Sequence, residues 1–283
     1  MSAPSGKCRN FWDRLTMADI KTYDWQVPEY RVIFEGERKC GSCLLIPVIN
    51  EGERILSLLS RIQKTDAAGK TDVIIVDGGS TDGSLEPERL KSLGVNTLLL
   101  KTGPGKLSAQ LLCGYAFALE KGYQGILTID GNDKDDPAPI SEMLSRLAEG
   151  YDFVQASRFI KGGVGENTPA SRSLAIRLIH APLLSIASGF HWTDTTQGFR
   201  AYSSRLLSDS RVSIFRDCFK EYELLAYLSY IAPKLGFRCV EVPGMRRYPK
   251  GQVPTKISSF KGNLNLMKVL LKACFGCYNR RER

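Results

Sequence analysis

The sequence predicts an α/β fold built on a mostly parallel sheet, and three observations predict it. Strand-like and helix-like segments alternate regularly from Cys43 to Ala156, the pattern of β-α-β units joined by right-handed crossovers. The strand segments are near-continuous apolar runs, as expected of strands covered on both faces. Four of them stop abruptly in polar residues, Asn50/Glu51, Asp77/Asp82, Asp130/Asn132 and Ser157/Arg158. Ligands of such sheets bind beyond the carboxyl ends of the strands, so this rim is the candidate site.

Residues 1 to about 39 form a polar lead-in carrying Trp12, Trp25 and Tyr30. A first buried strand, Cys43-Leu-Leu-Ile-Pro-Val-Ile49, runs into Asn50-Glu51. Ile55, Leu58, Leu59 and Ile62 then fall at the i, i+3, i+4, i+7 spacing of an amphipathic helix. A second strand, Asp72-Val-Ile-Ile-Val76, stops at Asp77-Gly-Gly-Ser-Thr-Asp82-Gly. A short helix to Leu93, a strand from Asn96 to Leu100 and a helix from Leu107 to Glu120 follow. The central strand, Gly125-Ile-Leu-Thr-Ile-Asp130, opens into Gly-Asn-Asp-Lys-Asp-Asp-Pro137, and a helix then runs to Glu149. Asp152-Phe-Val-Gln-Ala156 is the fifth strand.

The second half is less regular. A helix from Ser171 to about Phe190 should bend at Pro182. Thr193-Asp194-Thr-Thr-Gln-Gly-Phe-Arg200 reads as a polar loop, Phe215 to Leu235 as a helix ended or kinked by Pro233, and Cys239 to Val242 as a short strand. The last helix, roughly Ser259 to Tyr278, places Phe260, Leu264, Met267, Leu271, Cys274 and Tyr278 on one face and Lys261, Lys268 and Lys272 opposite. That pattern suits either an interfacial membrane helix or an ordinary surface helix packed on a domain. Three parts are expected: a lead-in over 1–41 packed on the domain, the domain itself over 42–258, and a basic amphipathic helix and tail over 259–283.

With 283 residues, 43% hydrophobic and 24% charged, the chain can bury a real core. Its eight cysteines are scattered and are expected to be reduced thiols; the C-x-x-C pairs Cys40/Cys43 and Cys274/Cys277 lie in apolar segments, not in a zinc-site context. No signal-like stretch and no apolar run long enough to span a bilayer occurs, so a cytoplasmic protein is expected, with the cytosolic face of a membrane within reach of its tail. Arg246 to Arg283 holds ten Lys/Arg and one Glu, which accounts for the whole net charge of +9. Such a tail suits phosphate ligands or an anionic membrane surface. No nucleic-acid-binding signature accompanies it, so no nucleic-acid partner is expected.

Several chemistries are excluded. No G-x-G-x-x-G follows the first strand, and Gly103-Pro-Gly-Lys106 lacks the first Gly and the Ser/Thr of a P-loop. No G-x-S-x-G is present, and His180 and His191 are the only histidines, which leaves dehydrogenase and serine-hydrolase readings without residues. Carboxylates and a carboxamide at the end of the central strand instead suit a hard divalent cation and a phosphate-bearing ligand.

Ile46-Pro-Val-Ile-Asn-Glu51, Ile75-Val-Asp77-Gly-Gly-Ser-Thr-Asp82-Gly and Ile129-Asp130-Gly-Asn132 resemble the three signatures of family 2 glycosyltransferases. The resemblance implies a GT-A fold, a Rossmann-like mostly parallel sheet flanked by helices, here with a C-terminal amphipathic helix. It implies that Pro47, Asn50, Glu51, Asp77, Gly79, Ser80 and Asp82 hold the base and ribose of a nucleotide-sugar donor of the UDP or GDP type. Lys106 joins these donor contacts. The third segment stands where the family has D-x-D, whose carboxylates bind Mg2+ or Mn2+ bridging the diphosphate. Ser157-Arg158-Phe-Ile-Lys161-Gly-Gly163, Asp194-Thr-Thr-Gln-Gly-Phe-Arg200 and Glu241-Val-Pro243 further resemble the dolichyl- and polyprenyl-phosphate sugar transferases. Carried over, Arg158, Arg200, Arg247 and Lys256 are expected phosphate contacts, and Arg200 could instead pair with Asp194.

Two departures bear on the metal. D-x-D reads Asp130-Gly-Asn132, which removes one charge, and Lys134 stands where that branch often has Gln. Asp130 is therefore the principal expected ligand, with Asn132 and Asp133 as helpers. The expected reaction is an inverting transfer from a nucleotide sugar, with Asp130, Arg200, Asp194 and Lys256 as catalytic candidates. A lipid-phosphate acceptor at the cytosolic membrane face would need no base. A glycan or other hydroxyl acceptor would need one, for which Asp194 and Glu221 are the candidates. A non-catalytic sugar-nucleotide-binding protein is the remaining alternative. A sugar-1-phosphate nucleotidyltransferase is excluded, since no G-x-G-T-R opening exists.

Overall fold

The computed structural model describes residues 25–249 and 260–280. In chain order its elements are β1 (Tyr30–Glu35), β2 (Ser42–Val48), α1 (Glu53–Gln63), β3 (Asp72–Asp77), α2 (Pro87–Ser92), β4 (Val95–Lys101), α3 (Leu107–Glu120), β5 (Gly125–Thr128), α4 (Ile140–Ala148) and β6 (Phe153–Ser157). There follow β7 (Val164–Glu166), α5 (Ala170–Ala175), a π-helical turn (Ile176–His180), α6 (Ala181–Ser188), β8 (Arg200–Ser203), α7 (Ser204–Ser208), α8 (Glu223–Lys234), β9 (Cys239–Pro243), β10 (Met245–Arg247) and α9 (Phe260–Cys274).

Eight strands form one sheet in the order β1-β4-β3-β2-β5-β8-β6-β9. The pairs β4/β3, β3/β2, β2/β5 and β6/β9 are parallel. β8 is inserted antiparallel between β5 and β6, and β1 runs antiparallel along β4 at the edge. Side chains alternate across the pleat, so β2 sends Leu44, Ile46 and Val48 into one core and Cys43 and Leu45 into the other. The first core lies under α1 and α4; the second lies under α3, α6 and α8, and α3 is buried along most of its length. Gly114 lets α3 approach closely, since a Cβ there would sit 3.0 Å from Leu45 and Val76 methyls. A sheet covered on both faces explains its apolar strands.

Four short strands are additions to the sequence reading: β1 inside the lead-in, β7, β8 starting at the last residue of the expected polar loop, and β10. The helix expected from Phe215 begins only at Glu223. Pro182 does mark an irregularity. It lacks the N–H for an ordinary helical bond, and the turn just before it, Ile176–His180, widens to π spacing. α9 packs against α6 and α8 and buries Val269, Leu270 and Ala273. Its Leu264 and Leu271 remain exposed, as does Phe275 beyond it. The side chains of Phe260 and Lys261 lie outside the described residues, as do Trp12 and Lys256. The cysteines described are free thiols. No described helix is long and apolar enough to cross a membrane.

Candidate active site

The loops after β2 and β3 are laced together. Asn50, at φ 50°, donates its backbone N–H to Ser80 Oγ (3.0 Å) and accepts the Thr81 N–H on Oδ1 (2.8 Å). Gly52 N–H donates to Asp82 (2.8 Å), whose acidity Ser84 strengthens by hydrogen bonding. Asp77 Oδ1 accepts from Gly79 N–H (3.1 Å), Ser80 N–H (2.8 Å) and Ser80 Oγ (2.7 Å). Below them, Gln110 Nε2 bridges carbonyls near the ends of both strands, Val48 O at 2.8 Å and Val76 O at 2.9 Å. The structure thus brings Asn50, Asp77, Gly79, Ser80 and Asp82 together, beside Pro47 and Glu51. Glu51 is held by Arg54 at 2.8 Å.

The loop after β5 is shaped by β10. Asp135 pairs with Arg246 as an antiparallel bridge, Asp136 N–H donates to Met245 O (2.9 Å), and Arg247 N–H donates to Lys134 O (2.7 Å). Successive strand residues face opposite sides. Arg246 therefore points inward, to Asp130 (3.1 Å) and Asp135 (2.5 Å). Arg247 points outward, where it is 63% exposed and pairs with Glu166. Arg247, expected from the sequence to contact phosphate, thus turns away from Asp130, and its neighbour Arg246 is the arginine that reaches it.

The other carboxylates of the loop are already engaged. Asp133, at φ 55°, is bound by Arg61 at 2.8 Å, and buried Asp135 also accepts Gln197 Nε2 at 2.7 Å. Burial raises the Asp135 pKa, against the lowering effect of Arg246. Asn132 Oδ1 accepts the Lys134 N–H at 3.2 Å. The Lys134 ammonium lies 5.1 Å from the Tyr248 ring centroid, and burial, then Arg246, pull its pKa down to about 8. Among the described residues no group of three or more His, Cys, Asp or Glu is arranged to hold a metal ion. The loop offers an ion one carboxylate, Asp130, and one carboxamide, Asn132. That fits an ion brought in by a phosphate ligand and completed by its oxygens, not one caged by protein.

Gly198 packs directly against Asp130, and a Cβ there would overlap Asp130 Oδ1. Gly198→Ala should therefore displace the carboxylate and lower kcat/KM by about a hundredfold, as a misplacement near 1 Å does. Steady-state rates checked beside unchanged thermal melting would separate this from misfolding.

Arg158 and Asp194 pair with each other. The guanidinium binds the carboxylate at 2.6 and 2.9 Å, and both side chains are almost fully buried. Glu241 holds this loop by accepting from the Thr193 and Asp194 N–H groups at 2.9 and 3.0 Å. Asp194 is thus a poor candidate base. Arg158 keeps one buried nitrogen, Nη1, with no protein partner. His180, read from the sequence as a helix residue, bonds Thr195 Oγ1 at 2.6 Å, and burial lowers its pKa to about 4.

Arg200 is the clearest correction. Fully buried, it does not pair with Asp194, and its guanidinium serves the carbonyls of Thr195 (2.8 Å), Gln197 (3.0 Å) and Leu225 (2.8 Å). β8 carries it into the core. Lys106 is exposed at the start of α3 and pairs with Glu221 at 2.6 Å, which engages the second candidate base. With Gly105, Asp217, Cys218, Lys220 and Glu223 they line an open cavity of about 690 Å³. The residues that sequence reasoning missed are Arg246, Gln197, Gly198 and Tyr248. The only sequence signal for Gln197 and Gly198 was their place in the Asp194–Arg200 segment.

The model of the glycosyl transferase family 2 domain matches residues 43–211. Undecaprenyl-phosphate mannosyltransferase of Micrococcus luteus is 31% identical over 205 residues, spanning 70% of this chain and 80% of that protein. Polyprenol monophosphomannose synthase of Mycolicibacterium smegmatis is 27% identical over 210 residues, spanning 71% and 75%. Among solved structures, glucosyl-3-phosphoglycerate synthase from Mycobacterium tuberculosis in complex with Mg2+ and UDP superposes with a TM-score of 0.56 at 18% identity, covering 83% of this chain and 79% of that one. The same enzyme with Mn2+, UDP and glucosyl-3-phosphoglycerate gives 0.53, covering 83% and 80%. The fold is that of the GT-A glycosyltransferases.

Proposed function

The chain belongs to glycosyltransferase family 2, and on that premise we propose that it transfers a sugar, with inversion, from a nucleotide sugar of the UDP or GDP type to a polyprenyl phosphate at the cytosolic membrane face. The walls built by Asn50, Asp77, Ser80 and Asp82 take the nucleoside, and Asp130, Lys134 and Arg246 face its diphosphate. A divalent cation entering with the donor would meet Asp130 and Asn132 and draw charge off the leaving group. The acceptor's phosphate oxygen is already an anion, so a single displacement at the anomeric carbon needs no protein base. The engagement of Asp194 by Arg158 and of Glu221 by Lys106 is consistent with that acceptor. Both relatives' names point to the same lipid class.

One observation carries the lipid reading. Leu174, Leu178, Ile179 and Ile186, on the run from α5 to α6, are 59%, 65%, 42% and 83% exposed. The same run reaches the site, through His180 to Thr195 and through Arg172, whose guanidinium lies 6.0 Å from the Tyr248 ring centroid. α9 packs beside α6 and adds Leu264 and Leu271, with Lys268 and Lys272 among them. An apolar surface bordered by cations and joined to a phosphate site suits a membrane that presents a lipid phosphate. Replacing Leu174, Leu178 and Ile186 together by Ser should abolish co-flotation with phosphatidylglycerol/phosphatidylcholine vesicles while leaving UDP and GDP affinity unchanged. Undiminished flotation of this variant would remove the lipid-facing role of these helices.

A further inference from the structure

We propose that Lys134 and Arg246 act as resident cations for the donor diphosphate, so that nucleotide binding persists when divalent ions are removed. The inference rests on the nucleotide-sugar reading above and concerns how that site neutralises charge.

A diphosphate brings at least two negative charges, and a site that binds it must supply positive charge in a place already shaped to receive it. An ion can do so only if the protein contributes oxygens. Of the five polar side chains from Asp130 to Asp135, Lys134 is itself a cation and two carboxylates are engaged elsewhere: Asp133 with Arg61, Asp135 with Gln197 and Arg246. Asp130, the remaining carboxylate, already meets the Arg246 guanidinium at 3.1 Å. An ion on Asp130 therefore sits beside a buried positive charge and competes with it.

The cations, by contrast, are built in. Arg246 is fixed by the strand bridge to Asp135, and Lys134 is 7% exposed. Lys134, Arg246 and Arg172 approach the Tyr248 ring, with centroid distances of 5.1, 5.8 and 6.0 Å. The charged neighbours of the Lys134 ammonium are Arg246, Asp130, Arg172 and Glu51, the last of them in the loop after β2. Positive heads gathered round one buried ring repel one another, Asp130, Asp135 and Glu51 offset that repulsion, and a diphosphate would add further opposite charge beside them. The face of the ring also favours the cations, by a smaller amount. The planar fork of Arg246 suits a phosphate edge, and Lys134 adds a compact charge.

The test is titration calorimetry of UDP and of GDP with the full chain, in EDTA and in Mn2+. The better of the two nucleotides should bind in EDTA within about threefold of its affinity in Mn2+. Lys134→Gln should lose at least about tenfold in EDTA, the scale of one hydrogen bond to a charged group, and Lys134→Arg should restore most of it. The double variant Asn132→Asp/Lys134→Gln should bind well only with Mn2+. Binding by the wild type that vanishes in EDTA and returns with Mn2+ would overturn this proposal and leave the nucleotide-sugar reading intact. Binding in EDTA that Lys134→Gln does not weaken would overturn the role of Lys134. No binding of either nucleotide in either buffer would overturn the nucleotide-sugar reading and this proposal with it.

Discussion

Asp130→Ala should lower kcat for sugar transfer on the order of a thousandfold with little change in thermal melting. Asp130 stands where the central parallel strand gives out, and three features converge on it. Arg246 reaches it at 3.1 Å, Gly198 gives it room, and Asn132 lies two residues on. Removing it frees Arg246 from one of its two carboxylates and takes away the carboxylate that an ion would meet. Losing a preorganised charge contact at a developing leaving group costs about a hundred- to a thousandfold, and here a contact and a positioning group go together. Asp133→Ala is the control, because Asp133 is held outward by Arg61. Its rate should stay within about threefold of wild type. Equal losses in the two variants would mean that the loop matters only as a whole.

Arg200→Ala should destabilise the fold by about 3–5 kcal/mol and lower Tm by roughly 10 °C, while the folded fraction keeps its nucleotide affinity. The guanidinium serves three backbone carbonyls from inside the core and packs 5.6 Å from the Phe153 ring centroid. Truncation leaves those carbonyls without their donor and opens a cavity beneath the Asp194 loop. Lys is a poor replacement because it lacks the fork that spans the carbonyls. Thermal and urea denaturation beside UDP and GDP titration would check this. A variant that melts like wild type but no longer binds nucleotide would return Arg200 to the phosphate site.

The two arginines explain how far the sequence could be read. β2, β3, β5 and β6 were legible because they are continuous apolar runs between helices of clear period, and their polar ends marked Asn50, Asp77, Asp130 and Arg158. β8 and β10 were not, because they are four and three residues long and take their identity from neighbours far along the chain. Arg200 reads as a loop residue until β8 is threaded between β5 and β6, and then it can only be buried. Arg246 and Arg247 are equivalent in sequence. Only the bridge to Asp135, more than a hundred residues away, decides which one turns inward. The Arg158–Asp194 pair is non-local in the same way. The resemblance to a family brought these residues into one region, but it could not say which of them bind one another.

Transfer to a lipid phosphate can be read from where the sugar goes. The full chain is incubated with labelled UDP- or GDP-sugars and a polyprenyl phosphate in detergent, and the label is partitioned between organic and aqueous phases. Sugar is expected in the organic phase for at least one donor, dependent on the polyprenyl phosphate and absent with Asp130→Ala. Label that stays aqueous with every donor, while the protein transfers sugar to a glycan or other hydroxyl acceptor, would contradict it.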